Sequence, residues 1–271
     1  MSMFRRHPVV SILAVLTIVF MWLPLVVVIG NSFNRDPILA TWGGLTMKWF
    51  GQAFRDEQVL TGLSTSLEVG LLTAVASLIV ALTGVLWWRK ASSQGRRAFE
   101  VSVYARLVLP EVVFATALFL VFTRGGVQLG MMTTVIGHTV WASAYAAVIL
   151  QARARLLDPA VEEAAADLGA SPLGVFFRVT LRGMLPGIIA AGVLAFTLSF
   201  DDVVTTFFLS GPQLNTLPLL VLGLIRFRVT PEVNAIGALV TTSMIASTLL
   251  VVWLLGRSTR TAESVARRLG Y

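Results

Sequence analysis

The sequence contains no cysteine and only two histidines, His7 and His138. Disulfides, thiolate metal centres and thiol catalysis are therefore excluded. The two histidines lie too far apart in sequence for a paired imidazole site, and no metal ligand set is expected. Charge is scarce: Asp, Glu, Lys and Arg make up 13% of the chain, about half the share of roughly 25% usual in soluble domains. The phosphate-gripping pattern Gly-x4-Gly-Lys-Ser/Thr occurs nowhere, so this chain is not expected to hydrolyse ATP, and no catalytic residue is expected on it. The formal net charge of +7 raises the question of nucleic acid. No basic cluster interleaves with aromatics on a polar face, however, and nucleic-acid binding is not expected.

What the chain has in quantity is apolar sequence. Hydrophobic residues form 56% of the 271 positions, and mean hydropathy is +0.82. A soluble core could not hide that much apolar surface, so lipid is the expected solvent. About 20 apolar residues cross the hydrocarbon core as a helix. Six stretches qualify, at residues 9–30, 64–88, 106–123, 131–152, 184–208 and 235–256. The first follows Arg5 and Arg6, but its apolar run is long for a signal peptide and no small-x-small site follows it, so it reads as a retained helix. The fold expected is all-α, a single polytopic transmembrane domain with about six spans. With the N-terminus in the cytoplasm, 15 of the 21 Lys and Arg fall on the inner side and six on the outer. That bias predicts that both termini are cytoplasmic.

Two connections exceed a bare turn. The outer one, 209–234, carries the apolar run Leu217–Ile225, too short to span and interrupted by Pro218 and Gly223. It reads as an interfacial helix or a re-entrant gate element. The inner connection, 153–183, carries capping chemistry. Asp158 is a good N-cap and Pro159 a good first helical residue. Glu162 and Glu163 sit where carboxylates favour the helix dipole. Gly169 supplies a left-handed stop, and Ser171-Pro172 starts a second helix. Val161, Ala165 and Leu168 form one face of the first helix; Leu173, Phe176, Phe177 and Thr180 form one on the second. A short helix, a sharp turn and another short helix are predicted. By capping alone, this hairpin could pack on its own bundle or dock on another protein.

The residues Glu163-Ala164-Ala165, three more, then Gly169 and an apolar tail to Leu185-Pro186 resemble the "EAA" loop of ABC-importer permeases. The stretch Phe196–Pro212, containing Ser199-Phe200-Asp201-Asp202, and the stretch Val229-Thr-Pro-Glu-Val-Asn-Ala235 resemble the second permease subunit of spermidine/putrescine importers. The similarity covers most of residues 60–256. The resemblance implies that Glu163, Ala164, Ala165, Asp167 and Gly169 belong to a coupling helix docked on an ATPase subunit. It implies a partner set of a second homologous permease in a heterodimer, two ATPase subunits and an extracytoplasmic substrate-binding protein, in the inner membrane of a bacterium. This chain would bind no cofactor; ATP and Mg would sit on the partner ATPase. One departure matters. After Val179-Thr180-Leu181 the family usually has Pro, and here stands Arg182, so the junction with the fifth span is expected to differ.

Four carboxylates fall in or near the spans: Glu68, Glu111, Asp201 and Asp202. A charge at mid-bilayer costs about 2.5–3.5 kcal/mol on insertion scales, and the sequence places no Lys or Arg mid-span to neutralise it. A cationic substrate explains them economically. Glu111, after the kinking Pro110, is placed in the inner half of span three, and Asp201 and Asp202 in the outer half of span five. Neighbouring helical residues point about 100° apart, so one of the two aspartates, taken to be Asp202, faces the pathway. Glu68 reads as an interface residue, His138 as a hydrogen-bonded core residue, and Trp141 and Phe200 as lipid-facing or packing residues, with a pathway wall as the alternative. The function expected is the permease half of an ATP-driven polyamine importer. The same machine for ferric ion, thiamine or an anion, an ion-driven secondary transporter, and a non-transporting scaffold stand as alternatives.

Overall fold

The structure is a computed structural model that describes residues 8–227, 229–246 and 248–249. Two compact units divide the chain, one of residues up to 60 with 220–246, the other centred on 61–219.

The first unit holds α1 (Pro8–Ser32), a loop, α2 (Lys48–Ala53), most of the short helix 217–227 and the helix 231–246. α1 is apolar all round and exposes Val10, Leu13, Ile18, Phe20 and Leu23. In water such a helix would not stand; in lipid its backbone is satisfied internally and its surface matches the solvent. The loop after α1 closes on an isolated bridge between Asn34 and Leu45. The buried Asn34 organises it: its Oδ1 accepts from the amides of Asp36 (3.1 Å) and Gly43 (2.9 Å), and its carbonyl accepts from Trp49 Nε1 at 2.7 Å. Asp36 accepts from the amides of Ile38 and Thr41, which hold its carboxyl below the usual carboxylate range.

The second unit is built around α6 (Met131–Ala154), preceded by α3 (Glu57–Lys90), α4 (Ser93–Val108) and α5 (Glu111–Arg124). α3 has 34 residues, about 51 Å at 1.5 Å each, and so overruns a hydrocarbon core about 30 Å thick. The expected span 64–88 is its middle. The expected span 106–123 is not one helix. α4 and α5 meet at Leu109-Pro110 with a bend of 103°. Pro110 has no N–H to continue the ladder and forces Leu109 into extended backbone (ψ 129°). α4 is the more polar of the two. α5 spans only 14 residues.

After α6 come α7 (Pro159–Asp167) and α8 (Pro172–Val175), capped by Asp158 and Ser171 as the sequence predicts. Gly169, at φ +88°, makes the turn between them. α8 does not stop. A single π-helical turn, Phe176–Thr180, joins it to α9 (Leu181–Phe200), giving one 29-residue run. The second short helix and the fifth span are thus one rod, and Arg182 lies inside it, where the family's Pro would interrupt the ladder. The expected span 184–208 is in turn cut short. Residues 201–203 leave the helix, and α10 (Val204–Leu209) restarts it.

α6 and α9 pack through small residues: Ala144, Ala147 and Ala191 are buried, and Gly183 and Gly187 lie against Leu157 and Arg153. That close approach is how helices associate without a hydrophobic driving force. α11 (Leu217–Phe227) accommodates Pro218 in its first turn and Gly223 in its interior, so the apolar run is one short helix and not a broken one. A further helix, α12, covers residues 231–246. Among the described residues four helices are long and apolar enough to cross a membrane, five if the bent pair counts as one. The expected sixth span, 235–256, runs beyond the described residues.

Candidate functional site: an acid cluster at a helix break and an exposed hairpin

The break after Phe200 places Asp202 indoors and Asp201 outdoors. Asp202 is 6% exposed, while Asp201 is classed with the exposed residues. Asp202 Oδ1 accepts from the Thr206 amide at 2.8 Å and from Thr206 Oγ1 at 3.1 Å, so from the residue ahead of the N-cap Val203 it binds the first turn of α10. The same oxygen lies 3.1 Å from His138 Nε2 of α6. His138 is fully buried. Its Nδ1 lies 2.7 Å from Ser199 Oγ. With Nε2–H donating to Asp202, Nδ1 is left to accept from the Ser199 hydroxyl, and every polar atom of the ring is satisfied. His138 is the hydrogen-bonded core residue the sequence predicts, and its partner is the aspartate.

Glu111 opens α5 directly after Pro110. Its Oε1 accepts from Thr205 Oγ1 at 3.3 Å, and its carboxyl neighbours that of Asp202. The sequence places Glu111 and the aspartates at different depths. The structure corrects this for Glu111 and Asp202: these two form one cluster, because the break at Pro110 starts a fresh short helix that packs on α10, while Asp201 stays exposed beside it. A second correction concerns cations. Arg106 of α4 comes close enough for its charge to act on Glu111, and its guanidinium stacks 3.8 Å from the centre of the Phe114 ring. Its Nε is buried without a partner. Two carboxyls in contact repel unless a proton or a cation lies between them. The cluster can therefore hold a cationic group.

The other residues fall outside it. Glu68 is exposed on α3 and joins no ion pair among the described residues. Trp141 is buried edge-on to Tyr145, with ring centres 5.6 Å apart, and Phe200 packs on Phe196. Both are packing residues. Sequence reading missed Arg106, Ser199, Thr205 and Thr206. Only Thr206, four residues after Asp202 as a cap partner, left a legible signal.

The hairpin forms the other feature. α7 buries none of its residues, nor does α8. Val161, Leu168, Leu173 and Phe177 are exposed, Leu168 by 90%. Glu163, Ala164, Asp167 and Gly169 are exposed with them, and Ala165 is half-buried. Glu162 points the other way. Its Oε1 receives Arg89 Nη1 at 2.8 Å and Thr180 Oγ1 at 2.8 Å. An apolar knob with a free acidic rim is suited to a protein partner.

A family model described as "Binding-protein-dependent transport system inner membrane component" matches residues 73–262. The putrescine transport system permease protein PotI of Escherichia coli (strain K12) is 36% identical over 242 residues, covering 87% of this chain and 86% of that protein. The spermidine/putrescine transport system permease protein PotC of Haemophilus influenzae is 30% identical over 221 residues, covering 81% of this chain and 86% of that protein. Among solved structures, a chain of a bacterial ABC transporter that imports the acidic polysaccharide alginate aligns with a TM-score of 0.65. It covers 95% of this chain and 97% of that one at 16% identity. An amino acid ABC transporter chain aligns at 0.60, covering 79% of this chain and all of that one, also at 16%.

Proposed function

Since the chain belongs to the family of inner membrane components of binding-protein-dependent transport systems, we propose that it is one permease half of an ATP-driven polyamine importer. It is a multi-pass protein of the inner membrane and a transport subunit, not an enzyme. In this reading it pairs with a second, homologous permease in a heterodimer. Two ATPase subunits bind and hydrolyse Mg-ATP, and an extracytoplasmic binding protein delivers the amine. Both termini and the 153–183 hairpin face the cytoplasm, following the bias of Lys and Arg. No nucleic acid is involved.

The observation that carries the substrate reading is the acid cluster. Glu111 and Asp202 meet at a helix break among buried hydroxyls, with the exposed Asp201 next in the chain, where an alkylammonium could replace water with charge-assisted hydrogen bonds. An anionic cargo would meet three carboxylates. The relatives named for putrescine and spermidine transport support the same class. Asp202, held by His138 and Thr206, fixes the cluster, while Asp201 and Glu111 present their oxygens to the cargo. One ammonium end fits here, and the second permease would supply the site for the other.

Transport follows as rigid rocking around this site. Closure of the ATPase pair moves α7 through its exposed face, with Glu163, Ala164, Ala165, Asp167 and Gly169 at the contact. The test is uptake of labelled putrescine into vesicles carrying this chain with its partner subunits and the binding protein. Accumulation that requires ATP and all partners is expected. Uptake driven by an ion gradient without ATP would overturn the importer reading. Equal uptake of an anionic solute would overturn the substrate class.

A further inference from the structure

We infer that Glu162 is the positioning residue that fastens the docking helix α7 to the bundle and passes its displacement to α3 and α9. The inference rests on the reading of α7 as the helix gripped by the ATPase.

One carboxylate oxygen ties three elements together. Arg89 stands in the last turn of α3, and its side chain is 15% exposed. Thr180 closes the π-helical turn that opens α9, and it is 6% exposed. Both reach Glu162 Oε1 at 2.8 Å. The Arg89 carbonyl in turn accepts from Arg96 Nη2 of α4 at 2.8 Å, so the end of α3 is itself anchored.

Packing does not duplicate the tie to α3. α7 rests on α8 and the π-helical turn but buries no residue fully, and a cavity of about 520 Å³ lies between it and the end of α3, with Leu86, Ala166 and Phe176 in its walls beside the pair. Across that gap the Arg89–Glu162 pair is the ion pair from α7 to a spanning helix among the described residues. The adjacent Glu163 is exposed and left for the partner. Neighbouring helical residues diverge by about 100°, so α7 turns one carboxylate inward and one outward. A push on its outer face is delivered to α3 through the first and to α9 along the continuous rod.

The test uses the complete transporter in vesicles, comparing the parent with Glu162→Ala and with the exchanged pair Arg89→Glu/Glu162→Arg. The quantities read are ATPase subunit retained, ATP hydrolysed, and amine accumulated per ATP. Glu162→Ala should retain the ATPase subunit, keep hydrolysis within about twofold, and lower amine per ATP at least tenfold. The exchanged pair should recover a third or more of the parent ratio. An unchanged ratio in Glu162→Ala, or loss of the ATPase subunit that the exchange does not restore, would overturn the inference.

A second measurement separates this claim from the importer reading. The chain has no cysteine, so spin labels at Ala160→Cys and Ser93→Cys, both exposed positions, report the α7 to α4 distance uniquely. The distribution should broaden in Glu162→Ala and narrow again in the exchanged pair. A distribution indifferent to Glu162 overturns the positioning role, even if the parent proves to transport by another route.

Discussion

Asp201 and Asp202 are neighbours with opposite environments, and the difference separates their roles. Asp201→Asn removes an exposed charge and should lower putrescine uptake about tenfold, the factor that roughly 1.4 kcal/mol of lost pairing represents. Assembly with the partner subunits should be unchanged, as read by co-purification. Asp202→Asn alters a group that binds the first turn of α10 and pairs with His138, so uptake and yield should fall together. If Asp202→Asn leaves yield intact, the structural part of its role is wrong. His138→Leu leaves Asp202 buried without its partner. Breaking a buried pair costs roughly 3–5 kcal/mol, so the detergent-solubilised protein should melt at a clearly lower temperature; an unchanged Tm would refute the pairing.

At the scale of the element, breaks in helices position the chemistry. Pro110 turns α4 away from α5 and delivers Glu111 to α10. After α10, Gly211 adopts φ +65°, and a Cβ there would lie 2.7 Å from the Leu129 carbonyl oxygen. Gly211→Ala should therefore destabilise by about 1–3 kcal/mol, read as reduced yield and Tm, because the obstructing atom is backbone and cannot rotate aside. Gly211 follows a connection in which Leu209 O accepts from Thr133 Oγ1 at 2.8 Å, so the strain would be felt at the start of α6. The hairpin has a pH signature. Burial opposes ionisation of Glu162, but bonds from Arg89 and Thr180 and the charges of Arg89 and Lys90 outweigh it and hold the carboxyl below its ordinary range. A depressed carboxylate stabilises at pH above its unfolded value and loses that contribution as pH falls through the folded one. The Ala160–Ser93 spin-label distance should stay sharp at neutral pH and broaden only in acid below the ordinary glutamate range. Broadening near neutrality would contradict the assignment.

For the molecule as a whole, the proposed function requires the knob to be gripped on one side while the acid cluster receives cargo elsewhere in the same unit. Glu163→Lys reverses the free carboxylate on the outer face of α7 without touching the tie to Arg89. ATP-coupled uptake should be abolished while membrane insertion, read by fractionation, is retained. Normal uptake would remove the docking face from the mechanism.

What the sequence determined by itself is whatever short-range physics controls. Apolar runs near 20 residues mark membrane-crossing segments, Asp158-Pro159 and Ser171-Pro172 open helices, and Gly169 in its left-handed turn ends one. The helix–turn–helix of the loop followed from that pattern; which face it leaves exposed did not. The tertiary structure decided where helices stop inside the membrane and which side chains meet across it. The run 184–208 reads as unbroken because each residue in it is compatible with a helix. It breaks at Asp201–Val203, where Asp202 finds its bonds in His138, 64 positions earlier in the chain, and in the amide that restarts α10. The pairing of Glu162 with Arg89, 73 positions apart, is equally invisible, since a carboxylate in a first turn is already explained by the helix dipole. Periodicity reports a helix's own needs; long-range polar partners are chosen by packing, and only the assembled bundle brings them within 3 Å.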